Sequence, residues 1–129
     1  MTSPVSLVTS FPGSSSWYIA ERLEITSCTS DIANFSAVIV VQRTVNGTGQ
    51  GPDMNLNPSL ATQTFTQNST QIIYTWNIAS GQIIPAYNCP FYIAAKVNLV
   101  GTAQPTSGDT YELWFVTTNG TTTTLSGHF

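Results

Sequence analysis

Apolar and polar residues alternate with a period of two along most of the chain, and no stretch of useful length shows the three-to-four spacing of an amphipathic helix. An all-β protein is predicted. Over residues 17–26, Trp17, Ile19, Glu21, Leu23 and Ile25 fall on one face of a strand and Tyr18, Ala20, Arg22, Glu24 and Thr26 on the other. Residues 35–43 are apolar on both faces, with Phe35, Ala37, Ile39 and Val41 opposed by Val38 and Val40, which predicts a central strand. Residues 45–53 concentrate turn formers and read as a long connection. A weak strand over 62–66 precedes a strong one over 71–78 that aligns Ile72, Tyr74, Trp76 and Ile78. Gly81 and Pro85 bracket a short extended segment, and residues 91–99 then place Phe91, Ile93, Ala95, Val97 and Leu99 inward. After a loop over 101–109, strands at 111–118 and 121–129 flank Asn119-Gly120, a strong short signal for a hairpin, so these two should pair antiparallel.

Seven or eight short strands separated by turn signals predict a two-sheet antiparallel β-sandwich of immunoglobulin-like or jelly-roll type, with a closed barrel as the alternative. At 129 residues one domain spanning 1–129 is expected, its first 16 residues being either flexible or an edge strand. The spacing of Cys28 and Cys89, with Tyr87 two residues before the second, resembles immunoglobulin domains. The core Trp due some dozen residues after the first Cys is missing, since Val40, Val41 and Gln42 occupy that region, so the sandwich is predicted without the immunoglobulin assignment.

Composition then narrows the partners. Only 7% of residues are charged, while 20 are Thr and 14 are Ser, so hydroxyls and amides must wet the surface. Three basic residues cannot build a footprint for phosphate backbones or anionic lipid, which argues against nucleic acid and membrane partners. No apolar run reaches the roughly 18 residues of a membrane span, and the opening Met1-Thr2-Ser3-Pro4 reads as a mature domain given a new Met. The even pair Cys28 and Cys89 predicts one disulfide, against two buried free thiols. Sequons occur at Asn34, Asn46, Asn68 and Asn119. Together these features predict an extracellular location, secreted or in a cell wall.

Catalytic chemistry is hard to assemble. The single His128 stands next to the C-terminus without a partner at nucleophile or metal spacing. The carboxylates are Glu21, Glu24, Asp31, Asp53, Asp109 and Glu112. A glycosidase needs two of them across a cleft; Glu21 and Glu24 fall on opposite faces of one strand, and a pair such as Asp109 with Glu112 stays open although nothing selects it. Calcium could use Asp31 or Asp53, although no ligand series marks a site. No phosphate loop, dinucleotide fingerprint or nucleophile elbow is present, so no enzyme, metal or cofactor is expected.

Binding of a neutral sugar is the better prospect. Flat rings stack on sugar C–H faces while Asn, Gln and Thr read the hydroxyls. The candidate ligand rings are Trp114, Trp17, Tyr92 and Trp76. Trp114 and Tyr92 lie on outward faces by alternation, Trp17 opens its strand, and Trp76 shares a face with core residues. A Trp leading into a strand, then Asn34-Phe35-Ser36-Ala37-Val38-Ile39-Val40-Val41, and later Tyr74-Thr75-Trp76-Asn77 before Ile84-Pro85, resembles the plan of cellulose- or chitin-binding modules of carbohydrate-binding families 2 and 49. That resemblance, over about residues 17–97, implies a β-sandwich with exposed aromatics on a polysaccharide, Trp17 and Trp76 being the position-like matches. Two features depart from it: the cysteines are internal rather than at the module's ends, and Ala86-Tyr87 replaces a Gly. The alternative is a subunit of an extracellular fibre, coat or adhesin. There an uncharged terminal strand such as the one holding Thr121-Thr122-Thr123-Thr124 would pair with a neighbouring copy, making a homo-oligomer or fibre.

Overall fold

A computed structural model describes residues 5–11, 14–43, 47–102 and 105–129. Ten strands are present among them: β1 Val5–Ser10, β2 Tyr18–Cys28, β3 Ile32–Gln42, β4 Thr48–Gly49, β5 Asp53–Met54, β6 Ala61–Gln67, β7 Gln71–Ile78, β8 Phe91–Asn98, β9 Thr110–Thr117 and β10 Thr122–His128. The expected count of seven or eight is exceeded because β4 and β5 are two residues each, too short to leave a periodic signal in a segment rich in turn formers. One sheet runs β1-β2-β8-β4 with β5 also on β8, and the other runs β10-β9-β3-β7-β6. Every pairing is antiparallel. The result is the predicted all-β, two-sheet antiparallel sandwich.

Alternation fixes what lies between the sheets. Ile19, Leu23 and Ile25 of β2 and Phe91, Ile93, Ala95 and Val97 of β8 face Phe35, Ala37, Ile39 and Val41 of β3, Ile72, Tyr74 and Trp76 of β7, and Leu113 and Phe115 of β9. Phe35 sits edge-on to Phe91 at 6.1 Å, joining the sheets near the end where β8 begins, and lies 5.2 Å from Phe115 of its own sheet. Each of the buried Val, Leu, Ile and Phe side chains contributes on the order of 2 kcal/mol. β3 is central in its sheet, as its two apolar faces imply, and its outward Val38 and Val40 are half-buried. The Asn119-Gly120 turn joins β9 to β10, with Gly120 at a positive φ of 89°.

Cys28 and Cys89 form the expected disulfide. It does not cross between the sheets as in immunoglobulin domains. β2 ends at Cys28 and β8 begins just after Cys89, so the bond joins neighbouring strands of one sheet at the end where Ile25 pairs with Phe91.

Candidate functional site

The four candidate rings are not brought together. Trp76 is fully buried, stacked with Tyr74, and donates its indole N–H to Gln63 Oε1 at 3.1 Å. It is a core residue, because the same alternation that aligns it with Ile72 and Tyr74 turns it inward. Trp114 is half-buried on the outer face of the second sheet, between Ser36 and Thr124. Tyr92 is half-buried on the outer face of the first, where the Arg22 guanidinium covers its ring at 3.6 Å and occupies one stacking face. Trp17 is 66% exposed at the end of the sandwich, just before β2. Its ring lies on Gly101, where an added Cβ would meet it at 3.0 Å and where φ is +92°. Only a glycine accommodates both that close approach and that backbone conformation. Three separate parts of the surface thus carry Trp17, Trp114 and Tyr92. Periodicity did not single out the most exposed ring, Tyr87, which is 84% exposed in the Ala86–Asn88 turn of 3-10 helix.

The carboxylates also pair differently from expectation. Glu112 is exposed on β9, whereas Asp109 is fully buried and meets Glu21, which β2 turns inward among Ile19, Leu23 and Ile25. Asp109 Oδ1 accepts the Gln42 N–H at 2.8 Å, but its Oδ2 and both Glu21 oxygens lack a donor. A proton on Glu21 supplies one. Burial, then the hydrogen bond to Asp109 and the repulsion between the two charges, pushes Glu21 up to about 10 from its usual 4.5. Burial also raises Asp109, against the opposing pull of its bonds from Glu21 and Gln42. Burial and the Glu21 charge hold the Tyr74 phenol above its ordinary value, and its O–H donates to the Lys96 carbonyl. The acid pair is sealed from solvent, so no sugar can reach it as it would a glycosidase dyad. Asp31 Oδ1 accepts the Ala86 N–H at 2.8 Å, and Asp53 pairs with Lys96 at 3.4 Å. Asn34, Asn68 and Asn119 are exposed, and Asn46 lies outside the described residues.

The sheet edges divide into two kinds. In the first sheet, β1 is interrupted by a register shift between Ser6 and Leu7, and the opposite edge is made of two-residue strands with the Asp53–Lys96 ion pair beside them. Bulges, brevity and charge are the devices that prevent an edge from pairing with another chain. In the second sheet neither edge has them. β10 pairs with β9 over seven residues, and β6 with β7 over seven, without a register shift. Thr122-Thr123-Thr124-Leu125-Ser126-Gly127-His128 and Ala61-Thr62-Gln63-Thr64-Phe65-Thr66-Gln67 contain no Lys, Arg, Asp, Glu or Pro. Their outer backbone groups bond no other described strand. β-branched Thr dominates both, a composition that favours extended pairing.

No protein-family model matches the chain, those of carbohydrate-binding families 2 and 49 included, and no curated protein matches its sequence. Solved structures do resemble it. A cohesin module of a family 33 glycoside hydrolase from Clostridium perfringens is similar at a TM-score of 0.57 and 8% identity, over 98% of this chain and 96% of that one. An uncharacterized protein from Nocardia farcinica with an immunoglobulin-like fold reaches 0.50 at 14% identity, over 92% and 81%. The collagen-binding subdomain of the Enterococcus faecalis surface protein ACE reaches 0.44 at 13%, over 99% and 95%. The first two likenesses show a shared immunoglobulin-like sandwich, and at identities this low they show the fold alone.

Proposed function

We propose that this protein is a structural or adhesive module of the extracellular surface that associates with further copies through the edges of its second sheet. One observation carries the reading: the same molecule blunts both edges of its first sheet and leaves both edges of its second uncharged, regular and seven residues long. An edge of that kind offers a row of backbone donors and acceptors to another strand. The disulfide, which persists in oxidising compartments, supports the extracellular setting. Sedimentation velocity over a wide concentration range tests the association. Wild type should shift from monomer to larger species as concentration rises, and Thr64→Lys with Thr124→Lys, both on exposed edge positions, should keep it monomeric. A wild-type monomer at every concentration refutes the proposal.

A second reading, attachment to a neutral polysaccharide, is favoured by the exposure of Trp17 and its close seat on Gly101. Held on a fixed backbone, the ring offers solvent a flat apolar face of the kind that stacks on sugar C–H bonds. Trp17→Ala should then weaken retention on insoluble cellulose or chitin; retention of neither polymer by wild type removes the reading.

A further inference from the structure

At the end of the sandwich opposite Trp17, an open cleft of about 310 Å³ lies between the segment before β6 and the turn before β8. We infer that this cleft is a binding site for a neutral oligosaccharide, with the Tyr87 ring as its stacking platform. The inference rests on the second reading above for the class of ligand and moves the principal contact from Trp17 to Tyr87. It is independent of edge association.

The walls are polar but uncharged. Asn55, Asn57, Ser59 and Asn88 supply amides and a hydroxyl, Pro85 and Tyr87 supply apolar surface, and the buried Leu56 and Phe91 lie beneath. None of the lining residues carries a charge. The volume falls at the small end of the roughly 300–1,000 Å³ usual for small-ligand sites. A charged ligand would lose its hydration without gaining a counter-charge there, whereas a sugar offers hydroxyls to the amides and a C–H face to the ring. The amides are also fixed in advance. Asn55 Oδ1 accepts the Tyr92 N–H at 2.8 Å and Asn57 Oδ1 accepts the Ser59 N–H at 2.9 Å, so in each case the Nδ2 donor is left for another acceptor. The Asn88 amide bonds no described residue.

The ring is held with equal care. The Asn88 N–H donates to the Pro85 carbonyl at 3.0 Å, the Cys89 N–H to the Ala86 carbonyl at 3.1 Å, and the Ala86 N–H to Asp31. The disulfide anchors the next residue to β2. A turn tied at four points presents a ring that packs against almost nothing, and that rigidity lowers the ordering cost of binding. Tyr with Asn and Ser is also the residue mix that antibody loops use for adaptable polar contacts around a rigid ring.

Native affinity electrophoresis of the intact chain with hydroxyethylcellulose, glycol chitin, xylan and mannan tests the site, with polygalacturonate and decaproline as charged and peptide controls. At least one neutral polymer should retard the wild type, and Tyr87→Ala and Asn88→Ala should each weaken that interaction at least fivefold with unchanged Tm. Trp17→Ala should retain it. Retardation that survives Tyr87→Ala but is lost in Trp17→Ala overturns this site and leaves the polysaccharide reading standing. Retardation by none of the neutral polymers, or by polygalacturonate or decaproline alone, overturns both.

Discussion

Replacing Glu21 by Gln measures what the fold gives up to seal an acid pair. In the unfolded chain Glu21 has its ordinary value near 4.5 and is ionised at pH 7, while in the folded chain, with its value pushed up to about 10, it holds its proton. The folded state therefore binds more protons than the unfolded state from about pH 4.5 to about pH 10, and stability falls as pH rises through that window. Below it both states are protonated and nothing is lost. At pH 7 the cost is about 2.5 pH units at 1.4 kcal/mol each, or about 3.5 kcal/mol, wherever above pH 8 the folded value lies. Asp109 acts in the same direction, because its value is raised as well.

Against a total stability of roughly 5–15 kcal/mol, that is a large fraction. Gln keeps the shape, cannot ionise, and offers an N–H to the donorless Asp109 Oδ2. Glu21→Gln should match the wild type near pH 4 and gain up to about 3.5 kcal/mol at pH 7, which for a chain of this length raises Tm by on the order of 10 °C. Thermal melts followed by circular dichroism from pH 4 to 9, with the disulfide intact, give the comparison. A wild-type Tm that does not fall between pH 5 and 8, or a Gln variant no better at pH 8 than at pH 4, refutes a buried, protonated Glu21.

Reducing the disulfide releases a constraint between residues 61 apart, for which chain entropy sets a ceiling of about 4 kcal/mol, so melts with and without reductant should differ by up to about 15 °C, the reduced form melting lower; coincident curves contradict the bond. Trp76→Ala should cost about 3–5 kcal/mol in urea titration and Trp114→Ala under about 2, because one ring fills the core and the other lies half-buried outside it; the reverse order contradicts the placement. Gly101→Ala should cost about 1–3 kcal/mol from its φ and its collision with Trp17, and less in a Trp17→Ala background, where only the backbone strain remains; an equal cost in both backgrounds removes the contact.

Much of this fold was legible because the strands are half-buried and alternate strictly. Phe91, Ile93, Ala95 and Val97 fall inward by counting alone, and Asn119-Gly120 marks its hairpin without help from packing. Trp76 was readable in the same way, since its neighbours two residues apart are Tyr74 and Ile78. What depends on register or on distant chain was not. Alternation turns Glu21 inward but is silent about Asp109, a loop residue that reaches it only after the sheets pack. The covering of Tyr92 by Arg22 requires knowing that Leu23 pairs with Ile93. Tyr87 lies in a turn, where no period exists to separate an exposed ring from a buried one. The blunted and open edges emerge only once strand order is known, because a Thr-rich strand at the centre of a sheet would carry no such meaning.

Strand direction limits how copies could join. The second sheet has five antiparallel strands, so its two edges, β10 and β6, run the same way. A copy continuing the sheet in the same orientation would set β10 beside β6 in a parallel pair. A copy related by a two-fold axis would set β10 against β10, or β6 against β6, in an antiparallel pair, which is somewhat more stable per residue. Because those two contacts use different edges, alternating them with parallel two-fold axes continues the sheet into an extended array. The cleft beside Tyr87 lies where β8 begins and just before β6, and no residue of β10 lines it, so pairing along the β10 edge leaves it open. Each copy added to such an array would bring another weak sugar site to the same surface, and linked sites bind a repetitive polymer far more tightly than one site alone. Edge association and the Tyr87 cleft thus make different demands on the molecule and reinforce one another only in the assembled state: the lysine edge variants should lower retention on an insoluble glycan while leaving the affinity of a monomer for a short oligosaccharide unchanged.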